Sequence, residues 1–264
     1  MLRLYLGLTF ALIAGCSPGN IGESSPCESL NFRNNDYVIC RFDAEIDDIQ
    51  LFHSDESGQP YGQFDRLSKA MSQQNKTLIF AMNGGMYHED RQPVGYYQDR
   101  YGERAIVNTN DGPGNFHLKP NGVFWLRDGI AGILESQRFL DAGIVPDYAS
   151  QSGPMLVIDG QLHPQINPDG RSRKRRNGVG VAADNRTVIF AISDEPVSFF
   201  EFSSLFKDLL ETPNALYLDG QVSRLYAPNL RRNETGPDLG PFVGVVANSL
   251  ARSSTSTTQS TDKT

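Results

Sequence analysis

Apolar residues in this chain come mainly in short runs bounded by Gly, Asn and Asp, the pattern of buried strands rather than of long helices. Tyr37-Val38-Ile39-Cys40-Arg41-Phe42 and Ile49-Gln50-Leu51-Phe52-His53 flank an acidic connector and predict an antiparallel pair. Thr77 to Met82 predicts a buried strand that stops at Asn83-Gly84-Gly85. Gly122 to Leu126 with Ile130 to Ile133, and Gly178 to Ala182 with Thr187 to Ile192, predict hairpins turning at Asp128-Gly129 and Asp184-Asn185. Met155 to Ile158, Ala215 to Leu218 and Phe242 to Ala247 complete the strands. Helical spacing marks Phe64, Leu67, Ala70 and Met71, and again Phe202, Leu205, Phe206, Leu209 and Leu210 in a helix from Phe199 that stops before Pro213. Between Val94 and Pro120 periodicity gives way to Gly, Asn, Asp and Tyr, a long surface excursion of the kind that carries function. The expected fold is α+β: one domain over 26–247, a mixed, mainly antiparallel sheet core with a few packed helices and long surface loops. The Ser/Thr-rich stretch 248–264 has no apolar pattern and is expected to be a disordered tail.

The N-terminus reads differently. One early Arg, an apolar run from Leu4 to Ala14 and then Gly15-Cys16 have the parts of a secretory signal, and the run is too short to span a bilayer. Leu12-Ile13-Ala14-Gly15-Cys16 resembles a bacterial lipobox, which implies cleavage of 1–15, lipidation of Cys16 and attachment to a membrane through the acyl chains. Residues 16–25, rich in Ser, Gly and Pro, read as a tether. By analogy with lipoprotein sorting, Ser17 rather than Asp after the cysteine favours the outer membrane of a bacterial cell envelope. Cys27 and Cys40 remain, and an isolated pair in an oxidising compartment is expected to form a disulfide.

Composition removes several classes of function. With 39% hydrophobic and 21% charged residues among 264, the chain can bury a core and is not disordered throughout. A net charge of −7 argues against a nucleic-acid binder that works by neutralising phosphates. No Gly-x-Ser-x-Gly elbow is present, and Gly112-Pro113-Gly114-Asn115 lacks the Lys-Ser/Thr of a phosphate loop. His53, His88, His117 and His163 are scattered without helical zinc spacing. No cofactor is predicted, and the sequence leaves metal requirement and oligomeric state open.

Three strands end in sharp polar punctuation: Asn83-Gly84-Gly85, Gln151-Ser152-Gly153-Pro154 and Asp219-Gly220. Taken singly, each reads as a turn. The run Arg171-Ser172-Arg173-Lys174-Arg175-Arg176 leads into Asn177-Gly178-Val179-Gly180. Such a run is usually a solvated loop, although arginine at a strand entrance can clamp a phosphate with paired donors.

In their order, Asn83-Gly84-Gly85-Met86-Tyr87, Pro93-Val94-Gly95, Gly114-Asn115-Phe116, Pro120-Asn121-Gly122-Val123-Phe124, Gln151-Ser152-Gly153-Pro154-Met155, His163-Pro164, Arg176-Asn177-Gly178-Val179-Gly180 and Leu218-Asp219-Gly220 resemble the phosphodiester glycosidase family. That resemblance spans roughly 37–247. It implies hydrolysis of a sugar-1-phosphodiester at the anomeric carbon–oxygen bond, releasing a sugar and a phosphomonoester. It places catalysis on Asp219 as carboxylate, Arg176 on the phosphate and Asn83 as an orienting donor with Ser152 and Ser223. Gly84, Gly85, Asn121, Gln151, Asn177 and Gly220 are the further expected substrate contacts, with Asp194 as reserve second carboxylate. Arg173 and Lys174 are expected to be solvated charges. The chain departs from the family pattern where Gln221 and Val222 replace two glycines, and where Ser193-Asp194-Glu195 stands in place of Asp-Gly-Arg. The other reading open to the sequence is a surface lipoprotein that binds envelope glycopolymers without cleaving them.

The N-terminal reading is checked by intact-mass analysis of membrane-extracted protein, which should show loss of 1–15 and added acyl mass on Cys16. Cys16→Ser should release the chain from the membrane; retention of that variant overturns the lipobox assignment.

Overall fold

Strands that are apolar on both faces must be covered on both, and this requirement sets the layering. The computed structural model describes residues 25–249. The expected signal segment, Cys16, most of the tether and nearly all of the tail lie outside the described residues. Three antiparallel sheets surround one apolar centre. The largest runs in the order Cys27–Phe32, Asn35–Asp43, Thr187–Ser193, Asn177–Val181, Asn214–Asp219, Met155–Ile158, Gln161–Leu162. The second runs Arg232–Asn233, Leu225–Ala227, Lys76–Asn83, Phe242–Asn248, Asp48–Phe52. The third runs Gly102–Ala105, Tyr97–Asp99, Tyr148–Ser152, Gly122–Arg127, Ile130–Glu135.

The alternation of side chains assigns each strand its two layers. In Thr187–Ser193, Val188, Phe190 and Ile192 face the centre while Ile189 and Ala191 face an outer layer. Aromatic rings tie the sheets together at the centre. Phe80 of the second sheet lies 5.0 Å from Phe190 and 5.2 Å from Phe42 of the first, and Phe124 of the third lies 6.1 Å from Phe190. These tilted and edge-on contacts add to the burial of large apolar surfaces.

Helices close the outer faces. Phe64–Gln73 turns Phe64, Leu67 and Met71 onto the second sheet, as its spacing predicts. The predicted 199–210 helix starts with a capping box, in which Ser198 and Glu201 satisfy each other's backbone N–H. It is α-helical only over Phe199–Ser204 and then widens into a π turn over Leu205–Leu209, where the Leu210 N–H reaches the Leu205 carbonyl at 3.0 Å. A short helix, Ser136–Ala142, lays Phe139 on the third sheet. It is too brief to show helical periodicity in the sequence.

The single α+β domain and both predicted hairpins are present. The expected pairing of the first two apolar runs is not. Asn35–Asp43 lies between Cys27–Phe32 and Thr187–Ser193, whereas Asp48–Phe52 pairs with Phe242–Asn248 in another sheet. The connector explains the difference. The Asp47 N–H donates to the Asp43 carbonyl and the Asp43 N–H to Asp47 Oδ2, both at 2.8 Å, closing a tight turn that redirects the chain to another sheet. The 94–120 excursion contains the short hairpin Tyr97–Asp99/Gly102–Ala105 and a single turn at Asn115–His117.

Cys27 and Cys40 stand directly opposite each other in the edge pair, with Cα atoms 4.0 Å apart, and are joined by a disulfide at a sequence separation of 13. Closing a loop of that size typically stabilises a fold by about 3 kcal/mol through the unfolded chain. Cys27→Ser combined with Cys40→Ser should therefore lower the free energy of urea unfolding by about that amount while leaving the far-ultraviolet spectrum unchanged. An unaltered unfolding midpoint would show that the crosslink contributes nothing.

Candidate active site

The C-terminal ends of three strands, one from each sheet, meet at one place: Lys76–Asn83, Tyr148–Ser152 and Asn214–Asp219. Asp219 is 7% exposed, and its carboxylate is held by N–H donors alone. Oδ1 accepts from the N–H groups of Gly220 at 2.6 Å and Gln221 at 2.8 Å, and Oδ2 accepts from Asn83 Nδ2 at 2.9 Å. Among the described residues, no Lys, Arg or His forms an ion pair with it. Burial pushes the Asp219 carboxyl above its ordinary range, and the N–H donors only partly offset that push.

Asn83 is fully buried with every polar atom engaged. Besides Asp219, Nδ2 reaches the Val222 carbonyl at 3.2 Å, Oδ1 accepts from the Arg224 N–H at 2.8 Å, and the backbone oxygen accepts from Asn177 Nδ2 at 2.9 Å. This leaves Asn83 no free group for a ligand and makes it the residue that orients Asp219. Ser223 Oγ lies 3.0 Å from both Asn177 Oδ1 and the Asp219 carbonyl, and Ser152 Oγ donates to the Leu218 carbonyl at 3.2 Å. Two glycines are required by contact. A Cβ on Gly84 would lie 2.5 Å from the Phe242 carbonyl carbon, and one on Gly220 would lie 1.7 Å from Tyr217 Oη. Gly85 packs beside Ser150.

Gln151 and Asn121 act at one remove. Gln151 accepts from the N–H groups of Tyr96 and Asn108 and donates to the Asn108 carbonyl and Ser136 Oγ. Ser136 donates to Asn121 Oδ1, and Asn121 Nδ2 donates to the Phe116 carbonyl at 3.0 Å. This buried chain of amides pins the surface excursion, whose residues Pro113 to His117 line a cavity together with Asp219.

That cavity has a volume of about 470 Å³, within the range of small-molecule sites. Tyr217, Asp219 and Gly220 line it together with Tyr87 and Phe116, and Arg91 and Lys174 supply its cationic side chains. The Arg91 guanidinium lies 5.5 Å from the Tyr87 ring centre, and its carbonyl is held by His53 Nε2 at 2.9 Å. Lys174 Nζ donates to Gln221 Oε1 at 3.1 Å, so the family-atypical Gln221 positions a cation at the site. Burial and the nearby Asp219 charge push the Tyr87 phenol up to about 12.

Two expected roles do not survive this geometry. Arg176 is 0% exposed and lies behind the cavity wall. Its Nε donates to the Val197 carbonyl at 2.9 Å, Nη2 to the Ser172 carbonyl at 2.8 Å and Nη1 to Tyr217 Oη at 3.1 Å, with the Phe199 ring 3.7 Å away. It cannot reach a phosphate from there. Asp194 is paired with Arg232 at 2.7 Å in a cluster with Arg175 and Glu234, and it does not line the cavity. Arg173 pairs with Glu201 at 2.9 Å, but Lys174, expected to be a solvated charge, lines the cavity. Tyr217 was missed, although it stands two residues before Asp219 on a predicted strand, which could have pointed to it. Arg91, His117 and Asp238 also line the cavity, yet nothing in their local sequence singles them out.

The chain is 29% identical over 224 residues, 85% of its own length and 84% of the relative's, to "Uncharacterized protein YigE" of Escherichia coli (strain K12). Its fold is similar to the zebrafish N-acetylglucosamine-1-phosphodiester alpha-N-acetylglucosaminidase catalytic domain auto-inhibited by its pro-peptide, with a TM-score of 0.56 at 14% identity, covering 83% of this chain and 81% of that one. It is also similar to a hypothetical protein from Synechocystis, with a TM-score of 0.54 at 12% identity, covering 84% of this chain and 61% of that one. A sequence model of the phosphodiester glycosidases matches residues 76–242, which include the Asn83 and Asp219 strand ends and the residues that line the cavity, and the chain belongs to the phosphodiester glycosidase family.

Proposed function

We propose that this chain hydrolyses a sugar-1-phosphodiester at the C1–O bond, releasing the free sugar and a phosphomonoester. The observation that carries the reading is Asp219, a buried carboxylate with no counter-ion among the described residues, lining a cavity that also holds Lys174 and Arg91. Such an arrangement costs stability in the resting protein, because a charge is held away from water without a partner. It suits a reaction in which positive charge develops at the anomeric carbon beside the carboxylate and negative charge accumulates on the departing phosphate. The C1–O bond breaks with its electron pair going to the phosphate oxygen. Lys174 and Arg91 offset that charge, water adds to C1, and Asp219 takes the proton of the water. A phosphomonoester leaves readily, so a second strongly acidic carboxyl is not required.

The lipobox-like ending supports placing this activity at the bacterial cell envelope, with the chain held by the lipid on Cys16 at the outer membrane and acting on envelope or extracellular glycoconjugates. A glycopolymer-binding protein without turnover would not need a charge-unbalanced carboxylate in its cavity, which favours the enzyme.

The test is release of phosphomonoester from synthetic benzyl diesters of glucose-1-phosphate and N-acetylglucosamine-1-phosphate. Asp219→Asn should lower kcat by at least about 100-fold with a smaller change in KM, the pattern of a group acting mainly in the transition state. Lys174→Ala should chiefly raise KM, and Arg173→Ala should change neither constant. Binding of the diesters without turnover would overturn the enzymatic reading.

The pH dependence has a definite sign. The base must be ionised and its pKa is raised, so the acid limb of kcat/KM should lie above the ordinary carboxylate range. For stability, the folded chain binds the Asp219 proton more tightly than the unfolded chain does. Stability is therefore lost as pH rises from the ordinary value through the raised one, by about 1.4 kcal/mol for each unit of displacement. Thermal melts across pH 4 to 8 should show this loss in the native chain and not in Asp219→Asn.

A further inference from the structure

Arg176 raises a question that the reaction as written leaves unanswered. A guanidinium carries a permanent charge, and this one is wholly buried; among the described residues no carboxylate pairs with it. Two of its nitrogens are satisfied by the Val197 and Ser172 carbonyls, and Phe199 covers its face. Its remaining directed contact is the bond from Nη1 to Tyr217 Oη at 3.1 Å. The phenol thus separates a buried cation from the cavity.

Tyr217 stands two residues before Asp219 on the same strand and lines the same cavity. Its ring packs edge-on against Phe199 with centroids 4.8 Å apart, and its oxygen lies so close to Gly220 that a Cβ there would meet it at 1.7 Å. The phenol oxygen is therefore fixed beside the Asp219 turn. Arginine can only donate, so Oη is the acceptor in that bond. That bond leaves the phenol's own O–H free for another acceptor, and Tyr217 lines the cavity.

Resting on the phosphodiester reading above, the geometry points to Tyr217 as a further catalytic residue, whose O–H donates a hydrogen bond to the phosphate oxygen on which the C1–O electron pair is left, with Arg176 as its positioning residue. The proton stays on Tyr217, and the proton released by the attacking water goes to Asp219, so no other acid is consumed. Burial and the nearby Asp219 charge raise the phenol's pKa and keep it protonated, while Arg176 pulls it the other way. The arrangement is that of an oxyanion donor: a fixed dipole beside the place where charge appears. Arg176, which the motif places on the phosphate, then acts on it through the phenol.

Tyr217→Phe removes only the hydroxyl and keeps the ring contact. On the benzyl diesters it should lower kcat about 100-fold, with KM changed by only a few-fold. Arg176→Lys should lower kcat in the native background and have no further effect in the Tyr217→Phe background. A merely structural arginine would lower kcat and the melting temperature equally in both. Native kcat in a folded Tyr217→Phe chain overturns the proposal and leaves the phosphodiester reading intact.

If the native chain turns over neither diester, that reading fails, and Tyr217 is judged by calorimetric binding of benzyl phosphate. Weakening of at least about threefold in Tyr217→Phe supports the donor role. Equal binding by the two proteins, or no binding by the native chain, overturns it. If Tyr217→Phe does not fold, 3-fluorotyrosine placed at position 217 alone provides the test. It retains the hydroxyl and is more acidic, so a donor phenol alters kcat and a spectator phenol leaves it unchanged.

Discussion

The contact between Asn83 Nδ2 and Asp219 Oδ2, 2.9 Å long, joins the largest sheet to the second at the point where the proposed chemistry takes place. It is not an isolated hydrogen bond. Asn83 is held at its backbone oxygen by Asn177 and at its amide oxygen by the Arg224 N–H, so the donor that meets Asp219 has no rotational freedom left. Burial disfavours the charged form of this carboxylate, and three N–H groups, with no cation paired to it among the described residues, offset that only in part. The surrounding architecture has to supply donors rigid enough to make that tolerable. Backbone N–H groups in a turn and an immobilised amide meet the demand without neutralising the charge, which a salt bridge would do.

The same constraint bears on the glycines. The Asp219-Gly220-Gln221 turn folds back tightly enough for two of its N–H groups to reach Oδ1, and Gly220 must lack a side chain because the Tyr217 phenol occupies that space. Gly84 lets its strand end run against the backbone of Phe242. These positions therefore serve close packing around the carboxylate more directly than contact with a ligand. The departures from the family pattern fit this division. Gln221 and Val222 retain the backbone contacts of the turn, while their side chains place a lysine and an apolar surface at the cavity.

Much of the fold was legible because the buried strands carry apolar residues on both faces and end at Gly, Asn or Asp. The hairpins and the 64–74 helix follow from period alone. The pairing of Asp48–Phe52 did not, because a short connector is equally compatible with a hairpin and with a change of sheet; only the Asp43–Asp47 hydrogen bonds decide between them. The edge strand Cys27–Phe32 alternates weakly and is largely exposed between its ends. At the site, the strand-end residues Asn83, Ser152 and Asp219 were visible as punctuation, and the structure brings them together. Arg91 and Lys174 were not distinguishable from the other surface cations, since their place in the cavity depends on His53 and Gln221, which lie far from them in sequence.

Arg176 shows how a correct motif match can still give the wrong contact. The strand-entrance position and the residue type pointed to a phosphate ligand, because a guanidinium is well shaped for one. In the folded chain the carbonyls of Val197 and Ser172 take two of its donor directions, and Phe199 takes its face. What remains points at Tyr217. A buried cation costs several kcal/mol unless its donors are satisfied, and neutral acceptors satisfy them without cancelling the charge. The field of that charge therefore persists at the phenol oxygen and, beyond it, in the cavity. Asp219, two residues further along the strand that carries Tyr217, is likewise held by neutral partners, three N–H groups. The carboxylate and the phenol line one cavity, the phenol backed by the guanidinium, so in the proposed reaction the forming cation faces the carboxylate and the departing oxyanion the phenol.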